Sequence, residues 1–298
     1  MSKFFKLIFL FFILPLTVDV SGEQENLVVV LDWFINSNHA PLLVAEQEGF
    51  FARHGLQVRF VTPADPLEGE KMVAVGKADV ALTYEPTLLL HVKRGIPLAQ
   101  FATLIDRPLN CLVVLNNGKI QSLKDLKGKR LGYGGTEIER IIFAVMLKTV
   151  GLSLDDVQMI NVKFNLVSAL LTNKIDGFIG GMRNFEPEIL KLHGKSVRVF
   201  YPEKSGFPKY SELIFVAHKN KIHNPSLAKF TSALKEGVEY LKKNPERSWQ
   251  KFIMRHPELN HTLNHQVWFL SLQYFSDHPE RFSQLQSQKL MQVILDNY

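Results

Sequence analysis

The chain reads as an α/β protein built from two lobes, and three observations carry that reading. From Leu27 to about Leu115, short apolar runs alternate with helix-patterned stretches across short connections, the pattern of a mostly parallel sheet covered by helices on both faces. A turn signal at Asn116–Gly118 is followed by a second series of the same kind. A further strand-like run, Leu213–His218, then returns the chain to where it began. The expected division is a leader at 1–22, the first part of lobe I at 23–115, lobe II at 116–212, and a return with C-terminal helices at 213–298. Two crossings between lobes define a cleft and a hinge, and such interfaces favour small-molecule sites.

In order, Leu27–Leu31 is a short apolar run of strand type, and Pro41–Phe51 is helical. Pro41 suits a first helical turn because it gives up an N–H that would be unpaired there, and Asn38 can cap. Leu56–Val61, Ala78–Leu82, Leu98–Leu104 and Cys111–Leu115 are strands, with helices at Glu68–Gly76 and Pro86–Gly95 between them. In the second series Ile120–Leu126 is a short helical turn, and Arg130–Tyr133, Val157–Val162, Gly177–Gly180 and Val197–Tyr201 are strands. Glu137–Val150, Val167–Thr172 and Glu186–His193 are its helices. Three helices follow the return strand, at Pro225–Asn244, Pro245–His256 and about Asn264–Phe275. Phe230, Leu234, Val238 and Leu241 mark the apolar face of the first of these.

Composition narrows the function. Hydrophobic residues make up 46% and charged residues 21% of 298, ordinary for a folded globular chain. The formal charge is +6, but Lys and Arg are spread out, and the group Lys124–Arg130 alternates with Leu and Asp as a solvated turn does. No nucleic-acid partner is expected from that distribution. Lys3 and Lys6, the apolar run Leu7–Leu16 and the small-residue stretch Val20-Ser21-Gly22 have the form of an export signal. Val20 is a mediocre cleavage-site residue, so an uncleaved N-terminal anchor is the alternative. The single cysteine, Cys111, reads as a small core side chain. His256, His261 and His265 are too widely spaced, with Pro257 between the first two, for a metal site. No metal, cofactor or catalytic set is expected.

The candidate site residues cluster where strands hand over to helices, the place where open α/β sheets bind ligands. After the first strand come Asp32, Trp33, Asn36, Asn38 and His39, five groups that stack or hydrogen-bond, or else an ordinary capped turn. Tyr84 and Glu85 follow the third strand; they form a stacking ring with a carboxylate acceptor, or a plain surface loop. Gly134-Gly135-Thr136 leads into a helix, offering N–H groups to an anion or polar ligand, or a simple N-cap at Thr136. Asn184 and Glu186 open the helix after Phe178–Gly181. They either cap it and complement its dipole, or turn into the cleft.

Five segments together carry a resemblance: LDWFINSNHAPLLVAEQEGFF (31–51), VGKADVALTYEP (75–86), RGIPL (94–98), SLKDLKGKRLGYGG (122–135) and NKIDGFIGGMRNFEPEIL (173–190). The chain resembles the thiamin-pyrimidine family of periplasmic substrate-binding proteins, of the formylaminopyrimidine-binding type, over most of residues 27–245. The resemblance implies a type II periplasmic-binding-protein fold, export to the periplasm, no cofactor, a monomer, and a membrane ABC transporter permease as partner. It implies a planar pyrimidine stacked by Trp33 and Tyr84, with Asn38, His39 and Glu186 hydrogen-bonding its edge. The fungal-type hydroxymethylpyrimidine phosphate synthases resemble the chain too, but they use a lysine-held pyridoxal phosphate, an active-site histidine, iron and a cysteine-rich run. The matching positions here are Thr83 and Thr87, and there is one cysteine, so a binding protein is expected and not an enzyme. Where several relatives carry aromatic residues, this chain has Met182 and Arg183. Arg183 either faces solvent or recognises an anionic ligand bidentately, which leaves another small planar or anionic solute as the alternative.

Overall fold

A computed structural model describes residues 24–64, 68–163 and 165–298; the expected leader at 1–22 lies outside them. Strands β1 (Glu25–Val30), β2 (Leu56–Val61), β3 (Val80–Thr83) and β4 (Leu98–Ile105) belong to the first lobe, with helices α1 (Ala40–Gln47), α2 (Phe50–Arg53), α3 (Glu68–Ala74) and α4 (Glu85–Lys93) between them. Strands β5 (Asn110–Leu115), β6 (Arg130–Tyr133), β7 (Gln158–Asn161), β8 (Gly177–Met182) and β9 (Val197–Phe200) build the second, with helices α5 (Glu137–Lys148), α6 (Leu166–Leu171) and α7 (Glu186–Leu192). Then come β10 (Leu213–His218), α8 (Pro225–Lys243), α9 (Pro245–Arg255), α10 (Thr262–Ser271) and α11 (Gln284–Asp296).

Two five-stranded sheets result, with orders β2-β1-β3-β10-β4 and β7-β6-β8-β5-β9. Strands β1, β2 and β3 pair in parallel, as do β6, β7 and β8. Each sheet carries one reversed strand, β10 in the first and β5 in the second, and each of these has just arrived from the other lobe. Expected at the end of the first lobe, β5 is instead a strand of the second sheet, where Leu112 pairs with Phe200 and Cys111 with Gly181. The first crossing therefore lies at 106–109, not near 115. An apolar run buried on both faces looks the same in either sheet, so periodicity could not assign it.

The first sheet is covered by α8, whose Phe230 stacks on Phe51 at 5.2 Å and meets Phe215 edge-on at 5.1 Å. Phe230, Leu234, Val238 and Leu241 are all buried, as their spacing predicts. Helix α8 approaches α1 closely because position 237 is glycine: a Cβ there would stand 2.5 Å from the Pro41 carbonyl oxygen. That approach fixes α1, and with it the turn that precedes it. The helix expected over Pro41–Phe51 is broken in two, because Gly49 takes the left-handed conformation at φ 72°. Cys111 is a buried free thiol, and burial pushes it well above its ordinary pKa.

Helix α11 has no counterpart in the sequence reading. Its Leu290 and Ile294 are buried in one cluster with Leu90 of α4 and Ile141 and Ile142 of α5, so it ties the two lobes together on one side. Among the described residues no helix is long and apolar enough to cross a membrane.

Candidate functional site

The carboxyl end of β1 runs into a short turn whose polar groups largely hold one another in position. Asn36 caps it, its side-chain oxygen accepting the Asn38 N–H at 2.8 Å. His39 is 0% exposed. Its Nδ1 accepts the Asn36 N–H at 3.3 Å, which places the ring proton on Nε2, 2.8 Å from Asp32 Oδ1. The other Asp32 oxygen accepts the Tyr84 hydroxyl at 2.8 Å. Tyr84 comes from the carboxyl end of β3, so two neighbouring strands are joined through one buried carboxylate. Burial, and then Asp32, push the Tyr84 hydroxyl well above its usual pKa, so it remains a donor. Trp33 stands half-buried beside this group, with its ring edge-to-face against Phe34 at 5.9 Å, and Phe34 is 66% exposed.

The facing wall comes from the loop after β8. Asn184 is 2% exposed, and its Nδ2 donates to Asn38 Oδ1 at 2.8 Å and to Ser271 Oγ of α10 at 2.9 Å. Both partners belong to the first lobe, so the amide bridges the cleft. Its Oδ1 is buried and has no hydrogen-bond partner among the described residues, a cost of about 1–3 kcal/mol unless a donor arrives. Glu186 accepts the Met182 N–H at 2.6 Å, and burial raises its carboxyl to about 7. Near neutrality it is therefore divided between a donor and an acceptor form.

At the start of α5, Thr136 is the N-cap and closes a reciprocal box with Glu139: the Glu139 N–H meets Thr136 Oγ1 at 3.3 Å, and the Thr136 N–H meets Glu139 Oε2 at 3.1 Å. Gly135 has φ 101°, and a Cβ on it would fall 2.7 Å from Asn161 Nδ2, so glycine is required.

Of the expected site residues, the structure joins Tyr84 with the turn bearing Asn38 and His39, and joins Asn38 with Asn184. His39 has both ring nitrogens committed within the chain and acts through Asp32, not on a ligand edge. Glu85 is not presented to the cleft: its two oxygens accept the Ser211 N–H at 2.6 Å and the Ser287 hydroxyl at 2.5 Å. Arg183 is likewise occupied. Its guanidinium is bidentate to Glu203 at 2.7 and 2.9 Å, reaches the Asn110 carbonyl at 3.2 Å and lies over the Tyr201 ring at 4.3 Å. Neither the solvent-facing nor the anion-binding alternative describes it. Sequence reasoning passed over Ser271, which only the folding-back of α10 brings near, and Glu139, which the pattern Thr136-x-x-Glu139 announces as a capping box. Among the described residues no group of three His, Cys, Asp or Glu could hold a metal ion.

This architecture, two sheets each entered by one reversed strand with polar groups converging between them, is that of the two-lobed periplasmic binding proteins. The solved structure of an alkanesulfonate-binding protein from Xanthomonas axonopodis pv. citri, bound to MOPS, matches with a TM-score of 0.71 over 93% of each chain at 16% identity. The family model described as NMT1/THI5 like matches residues 36–248, and the chain belongs to that family. A Haemophilus influenzae relative named as a thiamine biosynthesis protein is 38% identical over 275 residues, 92% of this chain and 88% of the relative. The formylaminopyrimidine-binding protein of Halalkalibacterium halodurans is 29% identical over 82% of this chain and 74% of its own length. A 4-amino-5-hydroxymethyl-2-methylpyrimidine phosphate synthase of Legionella pneumophila is 25% identical over 86% and 82%.

Proposed function

We propose that the chain is the exported solute-binding component of an ABC importer and that it carries an aminopyrimidine precursor of thiamin between its lobes. The observation that carries this reading is the buried Asn184 Oδ1, which has no hydrogen-bond partner among the described residues, on a side chain whose Nδ2 bridges to Asn38 and Ser271 of the first lobe. An exocyclic amine beside ring nitrogens supplies the N–H donor that this oxygen lacks and a second for Glu186, while the flat ring suits stacking. Offset stacking contributes about 0.5–1.5 kcal/mol beyond area burial. The pyrimidine named for the Halalkalibacterium halodurans relative has that chemistry. The periplasm is the proposed location and a membrane permease the proposed partner.

Thermal unfolding against hydroxymethyl-aminopyrimidine, formylaminopyrimidine, thiamin, riboflavin, pyridoxal phosphate, taurine and nitrate tests the ligand class. A ligand at about a hundred times its Kd adds about 2.7 kcal/mol, several degrees for a protein of this size. A shift confined to the pyrimidines, abolished in Trp33→Ala and Asn184→Ala, is the expected result. No pyrimidine shift in the parent protein refutes the ligand class.

Synthase relatives of 25–28% identity favour one second reading, a pyrimidine-forming enzyme. Thr83 donates its hydroxyl to buried Glu70, and neither Thr83 nor Thr87 can form a Schiff base. An imine absorbance on adding pyridoxal phosphate would restore that reading.

A further inference from the structure

Contacts at three points hold α11 alongside α4 of the first lobe. Near the start of α11 the Ser287 hydroxyl donates to Glu85 at 2.5 Å. In its middle, Leu290 and Ile294 are buried in one cluster with Leu90. Just past its end, the Arg94 guanidinium donates to the Tyr298 hydroxyl at 2.6 Å and lies over that ring at 5.5 Å. The start of α11 is also anchored at the second crossing between the lobes. Gln286 Nε2 donates to the Lys209 carbonyl at 2.9 Å, and Glu85 itself accepts the Ser211 N–H at 2.6 Å.

The second lobe meets this pair of helices through α5. Ile141 and Ile142 share the cluster of Leu290 and Ile294, and Arg94 donates to Glu137, the first residue of α5, at 2.6 Å. That ion pair joins the two lobes directly, and its partners are 43% and 46% exposed. Distance from the crossing decides which of these contacts survive rotation. From Gln286 to Asp296 is about 15 Å at a rise of about 1.5 Å per residue. With the crossing as pivot, a rotation of about 15° parts the far end of α11 from α5 by ~4 Å. That separates an ion pair held at 2.6 Å, while contacts at the start of the helix stay within reach.

We propose that α11 is a strap carried by the first lobe and latched to the second at Arg94 and Glu137, so that opening the cleft requires this latch to release. Tyr298 holds the guanidinium in place for Glu137, and Arg94 is the residue at which strap, first lobe and second lobe meet. An exposed pair shifts an equilibrium by only about two- to fivefold, so the latch biases the lobes toward contact without locking them. The inference rests on the two-lobed architecture and not on the identity of any solute.

Double electron–electron resonance between two spin labels tests it without a ligand. The labels go on Glu239→Cys of α8 and Ser168→Cys of α6, one exposed helix position in each lobe; the native thiol, Cys111, is buried. Glu137→Arg sets like charges against each other at the latch and should raise the ratio of long to short interlobe distances about two- to fivefold. Arg94→Glu should do the same. The two substitutions together restore an opposite pair and should return the ratio to the parent value. Salt screens an exposed pair, so the parent's ratio should also rise between about 0.05 and about 1 M salt, whereas that of Glu137→Ala, which has no pair to screen, should not. A folded Glu137→Arg protein with the parent's distance distribution overturns the proposal, and so does a double variant that stays open. Should Glu137→Arg not fold, the parent's salt response decides, and a ratio indifferent to salt overturns the proposal.

Discussion

Replacing Glu186 by Gln removes a titration that the fold makes unfavourable. Burial raises this carboxyl from 4.5 to about 7, so the folded state holds its proton more tightly than the unfolded chain does. Its stabilising effect is complete below about pH 4.5 and is lost as the pH rises to about 7. At about 1.4 kcal/mol for each tenfold change, the whole loss is about 3 kcal/mol. Glu139 and Glu212 are also raised by burial and move stability in the same direction, so the parent's own pH profile is a sum. The difference between parent and Glu186→Gln isolates this one group, since Gln can still accept the Met182 N–H. Urea unfolding of both proteins at several pH values from 4.5 to 8 should show the variant gaining on the parent by about 3 kcal/mol across that window. A difference that does not change with pH would refute the claim that Glu186 is desolvated at the cleft.

Four further outcomes follow from contacts already described. Tyr84→Phe takes one partner from buried Asp32 and should cost about 1–2 kcal/mol in chemical denaturation, with stacking on a ligand retained. Glu203→Ala strands the Arg183 guanidinium and should cost about 3 kcal/mol, while calorimetric ligand affinity stays within about threefold because that cation does not line the cleft. Asn184→Ala cuts the bridge to Asn38 and Ser271, and small-angle scattering of the ligand-free protein should record a larger radius of gyration. Gly237→Ala forces a methyl against the Pro41 carbonyl and should lower stability by about 1–3 kcal/mol, measured as a fall in Tm.

The strands were legible because their apolar runs are short and bounded by turn residues, and α8 because Phe230, Leu234, Val238 and Leu241 keep a helical period. Helix α11 was not, since Leu285 and Leu295 are exposed while only Leu290 and Ile294 are buried, which blurs its apolar face. The sheet that β5 joins depends on partners about 70 and 90 residues away, Gly181 and Phe200, and nothing local encodes that choice. At the site, Trp33, Tyr84 and Asn184 stood out because such residues gather at strand ends. What each side chain touches was not readable. Glu85 and Arg183 sit at equally suitable positions in sequence, yet Ser211 and Ser287 capture one and Glu203 the other.

The capture of Arg183 matters for how the cleft and hinge work together. The first crossing is clasped from both sides: the Glu212 carboxylate accepts the Leu109 and Asn110 N–H groups, and Arg183 donates to the Leu109 and Asn110 carbonyls. The Arg183 N–H also donates to the Leu109 carbonyl at 2.7 Å. The next residue, Asn184, bridges to the opposite lobe. A hinge anchor and a cleft contact therefore occupy consecutive positions of one loop, and a change in backbone angle at 109–110 is delivered to the Asn184 amide through a single peptide unit. The second crossing ends at Glu212, inside the same clasp, so the two connections cannot twist independently. Helix α11 packs against both lobes and adds a third tie. If Asn184 and Tyr84 line the solute site as proposed, rotation about this shared pivot would carry the Asn184 amide relative to Tyr84.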